Sequence, residues 1–233
     1  MSFAPTPSGH ERRDSRAYIP RHRHERAYAA MVLAGSYEES GSRGRFRVRP
    51  GDVLLHDAFD AHLDRFEGSG ARIFSLEIEA CPADASIAHV CDADSVVRAA
   101  ERDVGEAGVL LLAEIRRQPP VHYDWPDILA DDLLNDPAWR LDEWARKRSL
   151  APSSVSRGFR KVFGVTPAAF RLGARARHAF RMITGSGQSF AAVAATTGFA
   201  DQAHMSRAIR ALTGAPPGSW RGSKGDTRRR GPA

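Results

Sequence analysis

Residues 191–221 read AAVAATTGFADQAHMSRAIRALTGAPPGSWR, and residues 141–171, fifty positions earlier, read LDEWARKRSLAPSSVSRGFRKVFGVTPAAFR. Laid over one another without a gap, the two stretches agree at Ala145/Ala195, Ser156/Ser206, Arg157/Arg207, Arg160/Arg210, Gly164/Gly214, Pro167/Pro217 and Arg171/Arg221. An internal repeat of this length implies one supersecondary unit used twice. Each copy reads as a helix-turn-helix. A short helix carries Ala145 or Ala195 where a second helix must come close. A break follows at Ser149-Leu150-Ala151 or Gly198-Phe199-Ala200. The second helix then opens at Pro152 or Asp201, residues suited to the free N–H groups and the positive dipole end there.

Both second helices are amphipathic. Val155, Phe159 and Val162, and in the other copy Met205, Ile209 and Leu212, form the core side. The opposite side offers Ser153, Ser154, Ser156, Arg157, Arg160 and Lys161 in the first copy. In the second it offers Gln202, Ala203, His204, Ser206, Arg207 and Arg210. Arginine and glutamine make paired hydrogen bonds to guanine and adenine edges, and serine adapts to base or phosphate. A lone charged stripe is usually a solvated face. Two stripes at a fixed repeat, each after a helix-turn break, point to double-stranded DNA. Between the copies, a helix from Pro167 to Thr184 would be roughly 27 Å long. That suits two recognition helices in successive major grooves, which lie about 34 Å apart.

Working back from this region, helical periodicity also marks Asp127–Asn135 and Arg140–Lys147. Residues 18–80 have a different rhythm. Short apolar runs at Ala29–Leu33, Arg45–Val48, Val53–His56 and Ile73–Ile78 alternate with turn signals such as Pro50-Gly51-Asp52 and Gly68-Ser69-Gly70. That pattern predicts a small β-barrel or sandwich. An apolar stripe from Val96 to Ile115 predicts a single helix over Asp94–Arg117, which either covers the barrel or pairs with a second copy. The whole is α+β. The expected divisions are a disordered leader at 1–17, a β sensor at 18–92, a helical linker or dimerisation segment at 93–125, a double helix-turn-helix domain at 126–222, and a disordered basic tail at 223–233.

Charge agrees with this division. The formal net charge of +6 is unevenly spread, with cations far outnumbering carboxylates after residue 138 and an acidic balance before it. A basic module on an acidic domain is the electrostatic form of a polyanion binder. Cys81 and Cys91 have neither metal-type nor redox-type spacing, so a reducing cytoplasm is the expected compartment. Apolar runs such as Gly108 to Ala113 are too short for a bilayer, so no membrane partner is expected.

The run from Gly198 to Arg207, continued by Thr213-Gly214-Ala215-Pro216-Pro217-Gly218-Ser219-Trp220-Arg221, closely resembles the C-terminal signature of the arabinose-regulator (AraC/XylS) family. Leu141 through Phe170 resembles that family's first helix-turn-helix. The resemblance implies DNA contact by Ser153, Ser156 and Arg157, and by Gln202, Ala203, His204, Ser206 and Arg207. Upstream, His22-x-His24, Val32-Leu33-Ala34-Gly35, Arg49-Pro50-Gly51-Asp52 and His62 resemble the cupin-like sensor that precedes such modules. That resemblance places His22, His24, His56 and His62 near positions that hold a cation in metal-binding cupins. Tyr28 and Ala29 stand where those cupins carry a carboxylate. The four histidines are therefore assigned to an effector pocket or core, with no metal and no cofactor expected.

The reading is a sequence-specific transcriptional regulator and not an enzyme, controlled by a small effector in the barrel. RNA polymerase and a second copy of the chain are the further candidate partners. A metal-dependent cupin catalyst with a DNA-binding appendage is the alternative, and metal analysis separates the two. A non-specific packaging protein would show little discrimination between operator and random DNA. Effector, operator and direction of control are not readable from these residues.

Overall fold

The computed structural model describes residues 2–82, 85–119, 121–136 and 140–222. The chain divides into two compact units, Met1–Tyr123 and Asp124–Ala233.

The first unit is built on two long bent strands. Its elements are β1 (Ser2–Phe3), β2 (Gly9–Arg13), β3 (Tyr18–Arg23), β4 (Tyr28–Gly41), β5 (Gly44–Val48), β6 (Asp52–His56), β7 (Ala61–Glu77), β8 (Ile87–His89), α1 (Ala93–Ala100), α2 (Val104–Glu114) and β9 (Arg116–Arg117). Strands β4 and β7 run antiparallel along their whole length. The outer side of β7 is paired by β3 on its first half and β2 on its second. The outer side of β4 is paired by β6 on its first half and β5 on its second. Strands β8 and β9 extend the sheet beyond β6, and β1 joins β3 in parallel.

Both faces of β4 are buried. Ala29 and Met31 meet Val53, Leu55 and Leu76 on one face, under Val96 of α1 and Leu111 of α2. Tyr28, Ala30 and Val32 meet Leu54, Phe66 and Ile73 on the other. This is the period-2 alternation of a sheet with two covered faces. The pairing of β4 with β7 slips between Val32 and Ala34 and again between Gly35 and Tyr37. These irregularities reverse which positions point inward. Even-numbered residues face the Tyr28 side before them, and odd-numbered Tyr37 faces it afterwards. Gly35 sits at the crossing with φ 74°, and a Cβ there would lie 1.9 Å from the Gly70 carbonyl oxygen.

Two expectations for this unit are corrected. The leader is not disordered over its described part, because β1 and β2 belong to the sheet. Long β7 leaves one side of Ala71–Ser75 open, and Gly9–Arg13 fills it. The helix over Asp94–Arg117 is instead two helices and a strand. Asp103 caps α2 by accepting the Glu106 N–H at 2.8 Å, and Arg116–Arg117 pairs with β8. The apolar stripe covers the sheet, the first of the two alternatives.

The second unit comprises α3 (Trp125–Asn135), α4 (Leu141–Lys147), α5 (Pro152–Phe163), α6 (Pro167–Gly185), α7 (Phe190–Thr196), α8 (Gln202–Thr213) and a 3-10 turn at Pro217–Trp220. Leu129, Trp144, Val155, Phe159, Phe163 and Phe170 form the core of its first half. Ile183, Val193, Met205 and Ile209 are buried in its second. Each such side chain contributes about 1.5–3 kcal/mol on burial. No helix among the described residues is long and apolar enough to cross a membrane. The tail at 223–233 lies outside the described residues.

Candidate nucleic-acid interface and a buried histidine cluster

The turns of the two repeats are built alike. In the first, the Leu150 N–H donates to the Ala145 carbonyl at 2.9 Å, and Ser149 takes a left-handed φ of 54°. In the second, the Phe199 N–H donates to the Ala194 carbonyl at 2.9 Å, and Gly198 has φ 73°. These pairs are 49 residues apart, whereas α5 and α8 begin and end 50 apart. The second turn is thus one residue longer, and that residue is accommodated before α8. The helix-approach alanine of the second copy is therefore Ala194, which is buried, and not Ala195, which is exposed.

The second helices keep the 50-residue register to their ends. Both stop at a left-handed glycine, Gly164 or Gly214, whose N–H donates to the Arg160 or Arg210 carbonyl. Thr166–Pro167 opens α6 as Pro216–Pro217 opens the 3-10 turn. Their starts differ. Asp201 caps α8 through the His204 N–H at 2.6 Å, whereas Ala151 gives α5 no side-chain cap.

The expected contact residues lie on the open side of each helix. Ser153, Ser154, Arg157, Arg160 and Lys161 of α5 are exposed, and Ser156 is half-buried. On α8, Gln202, Ala203, Arg207 and Arg210 are exposed, while His204 and Ser206 are half-buried. The His204 ring meets Phe199 edge-on, with centroids 5.1 Å apart. Arg157 reaches Ser154 Oγ at 3.5 Å. Among the described residues, Arg157, Arg160, Arg207 and Arg210 have no carboxylate partner. Unneutralised guanidinium groups on two matched helices suit a polyanion with readable base edges.

In the first unit the structure gathers His22, His24, His56 and His62 into one cluster. His22 donates from Nδ1 to the Pro20 carbonyl at 2.9 Å, and His24 to the Pro5 carbonyl at 2.7 Å. Their Nε2 atoms meet at 3.0 Å. Tyr28 stacks on His56 at 4.4 Å and hydrogen-bonds His62 Nε2 at 2.9 Å. His62 Nδ1 lies 3.0 Å from Asp64 Oδ1 and 3.3 Å from Glu39 Oε2. Neither carboxylate figured in the sequence reading. Asp64 is two residues beyond His62 on one strand, a signal that period-2 reading could have used. Glu39 reaches the cluster because the β4 irregularities reverse its facing.

Burial and charge act in opposition here. Burial alone would lower His62, but Asp64 and Glu39 outweigh it and raise its pKa to about 10. Burial raises Glu39 to about 7 against the opposing pull of His62. His24 is lowered to about 4 by burial and then by His62 and His22, and His56 falls well below its usual value for similar reasons. A cavity of about 10 Å³ is bordered by Glu39, Ser42, Arg43, His56, Asp60 and His62. That is room for one water molecule or bare ion, not for an organic ligand.

Two helix-turn-helix units joined by a helix define a DNA-binding domain. Residues 144–223 match the family described as helix-turn-helix domain. No curated protein matches the chain. Among solved structures, the chain is similar to ToxT from Vibrio cholerae at 8% identity and TM-score 0.42, covering 91% of this chain and 98% of that one. It is similar to the C-terminal domain of AraT, a response regulator from Geobacillus stearothermophilus, at 14% identity and TM-score 0.40, over 46% of this chain and 92% of that one. A DNA-binding transcriptional dual regulator from Escherichia coli K-12 is similar at 17% identity and TM-score 0.38, over 44% and 94%.

Proposed function

We propose that the chain is a sequence-specific transcriptional regulator in which α5 and α8 read two adjacent major-groove segments of double-stranded DNA. The carrying observation is the pair of exposed cationic faces, Arg157/Arg160 and Arg207/Arg210, at matched positions of the two second helices. The 19 residues of α6 between the copies amount to about 28 Å of helix. With its flanking turns, that is compatible with the roughly 34 Å between successive grooves on one DNA face. The N-terminal unit is proposed to sense a small effector and alter DNA affinity, a coupling typically of about 1–3 kcal/mol that must be reciprocal. Cytoplasmic location, a second copy of the chain and RNA polymerase belong to the same reading. The ion-sized cavity beside the histidines has room for neither a substrate nor an organic effector, so it supports poorly both the catalyst alternative and an effector pocket at His22, His24, His56 and His62.

Selection of bound DNA from a random pool tests the proposal. The expected product is one defined sequence with two informative segments about ten base pairs apart. Recovery of unrelated sequences would favour non-specific packaging.

A further inference from the structure

We propose that Glu39, His56 and His62 form a binding site for a single divalent transition-metal ion of the zinc class. Three observations meet at this point. The first is spacing. Glu39 Oε2 lies 3.5 Å from His56 Nε2 and 3.3 Å from His62 Nδ1. Ligand atoms about 2.0–2.1 Å from a tetrahedral ion stand about 3.3–3.4 Å from each other. The two distances from Glu39 are thus close to tetrahedral edges, all three donor atoms lie within 4.8 Å of one another, and an ion would replace the hydrogen bond from His62 Nδ1 to Asp64. The second is an unsatisfied atom. His56 Nε2 is buried without a hydrogen-bond partner, and the residue is only 5% exposed. A buried polar atom in that condition is costly to folding, and the geometry points to coordination as its use. The third is space, since all three residues border the 10 Å³ cavity.

The surroundings fit an ion. With Nδ1 of His62 on the metal, its Nε2–H donates to the Tyr28 hydroxyl at 2.9 Å, the outer support that metal-bound imidazoles generally have. Tyr28 also fixes the plane of His56 by stacking on it. Asp64 adds a carboxylate 3.0 Å from His62 Nδ1, so Glu39 and Asp64 together offset two positive charges. Arg43, which borders the cavity, lies against Asp57 and Asp60 at 3.6 and 3.8 Å. Two imidazoles and a carboxylate suit zinc and its first-row neighbours better than calcium or magnesium.

This set is not the His22-x-His24 pair. Those rings each donate from Nδ1 to a backbone carbonyl, and their Nε2 atoms face each other at 3.0 Å. They do not border the cavity. The site stands independently of the DNA-binding reading, because it can be measured without DNA.

The test is equilibrium dialysis of the full chain against Zn²⁺ after chelator treatment, with Co²⁺ absorption as a spectroscopic check. Wild type should bind one tight equivalent and show the strong visible bands of tetrahedral cobalt. Glu39→Gln keeps size and fold, and should weaken that equivalent at least 100-fold. His56→Ala should do the same, with circular dichroism confirming that it folds. His24→Ala should change affinity by no more than a few-fold. Absence of a tight equivalent in wild type overturns the proposal. So does binding that survives Glu39→Gln and His56→Ala but is lost in His24→Ala, which would place the ion at the neighbouring pair.

Discussion

Gly158 shows how tightly single positions are specified in the DNA-binding unit. A Cβ at Gly158 would lie 2.5 Å from Trp125 Cζ2, inside any allowed contact. Trp125 opens α3 and packs with Trp144, their rings 6.1 Å apart. Trp144 is itself fully buried and donates to Asp132 at 2.6 Å. Ring and backbone have little room to yield, so overpacking should cost about 1–3 kcal/mol. Gly158→Ala should lower the denaturant midpoint of the full chain accordingly, although alanine is the better helix former by about 1 kcal/mol. Unchanged or increased stability would mean that Trp125 swings away freely. The same α5 leaves Arg157 and Arg160 exposed on its other side. The structural role and the proposed DNA-reading role thus fall on different faces of α5.

At the scale of elements, the informative comparison is between the two turns. Ser149 and Gly198 are equivalent left-handed residues, at φ 54° and 73°. A side chain in that region costs about 1–2 kcal/mol that glycine avoids. Ser149→Gly should therefore stabilise the chain by up to about 1 kcal/mol, and Gly198→Ala should destabilise it by a similar amount. Denaturant unfolding reads both, and equal signs for the two changes would contradict the equivalence. The helices were largely legible in the sequence because their apolar spacing and glycine stops are local: α5 runs from Pro152 to Phe163 as its periodicity predicts. The one-residue difference between the turns was not legible, because an ungapped repeat forces a single offset. The polar edge strand β2 was hidden for another reason. Its sequence GHERR has no apolar alternation, and only the open side of β7 makes it a strand. The split between α1 and α2 did leave a trace, in the Asp103-x-x-Glu106 start signal.

Across the whole molecule, chemistry is concentrated in two places of opposite character. The second unit presents open cationic helices. The first encloses Glu39, Asp60, His56 and His62 around an ion-sized cavity. The histidines were legible as candidates, whereas Glu39 depended on two irregularities in β4 that no local pattern announces. The central claim is that both repeats read bases, so the deciding measurement is binding of Arg157→Ala and Arg207→Ala to single-base variants of the selected DNA site at fixed salt. Each variant should lose about 1–3 kcal/mol on the selected sequence and should relax base preference in one segment only. The two relaxed segments should lie about ten base pairs apart. Uniform loss across the panel, with a lowered salt slope, would make these arginines phosphate clamps and contradict the account.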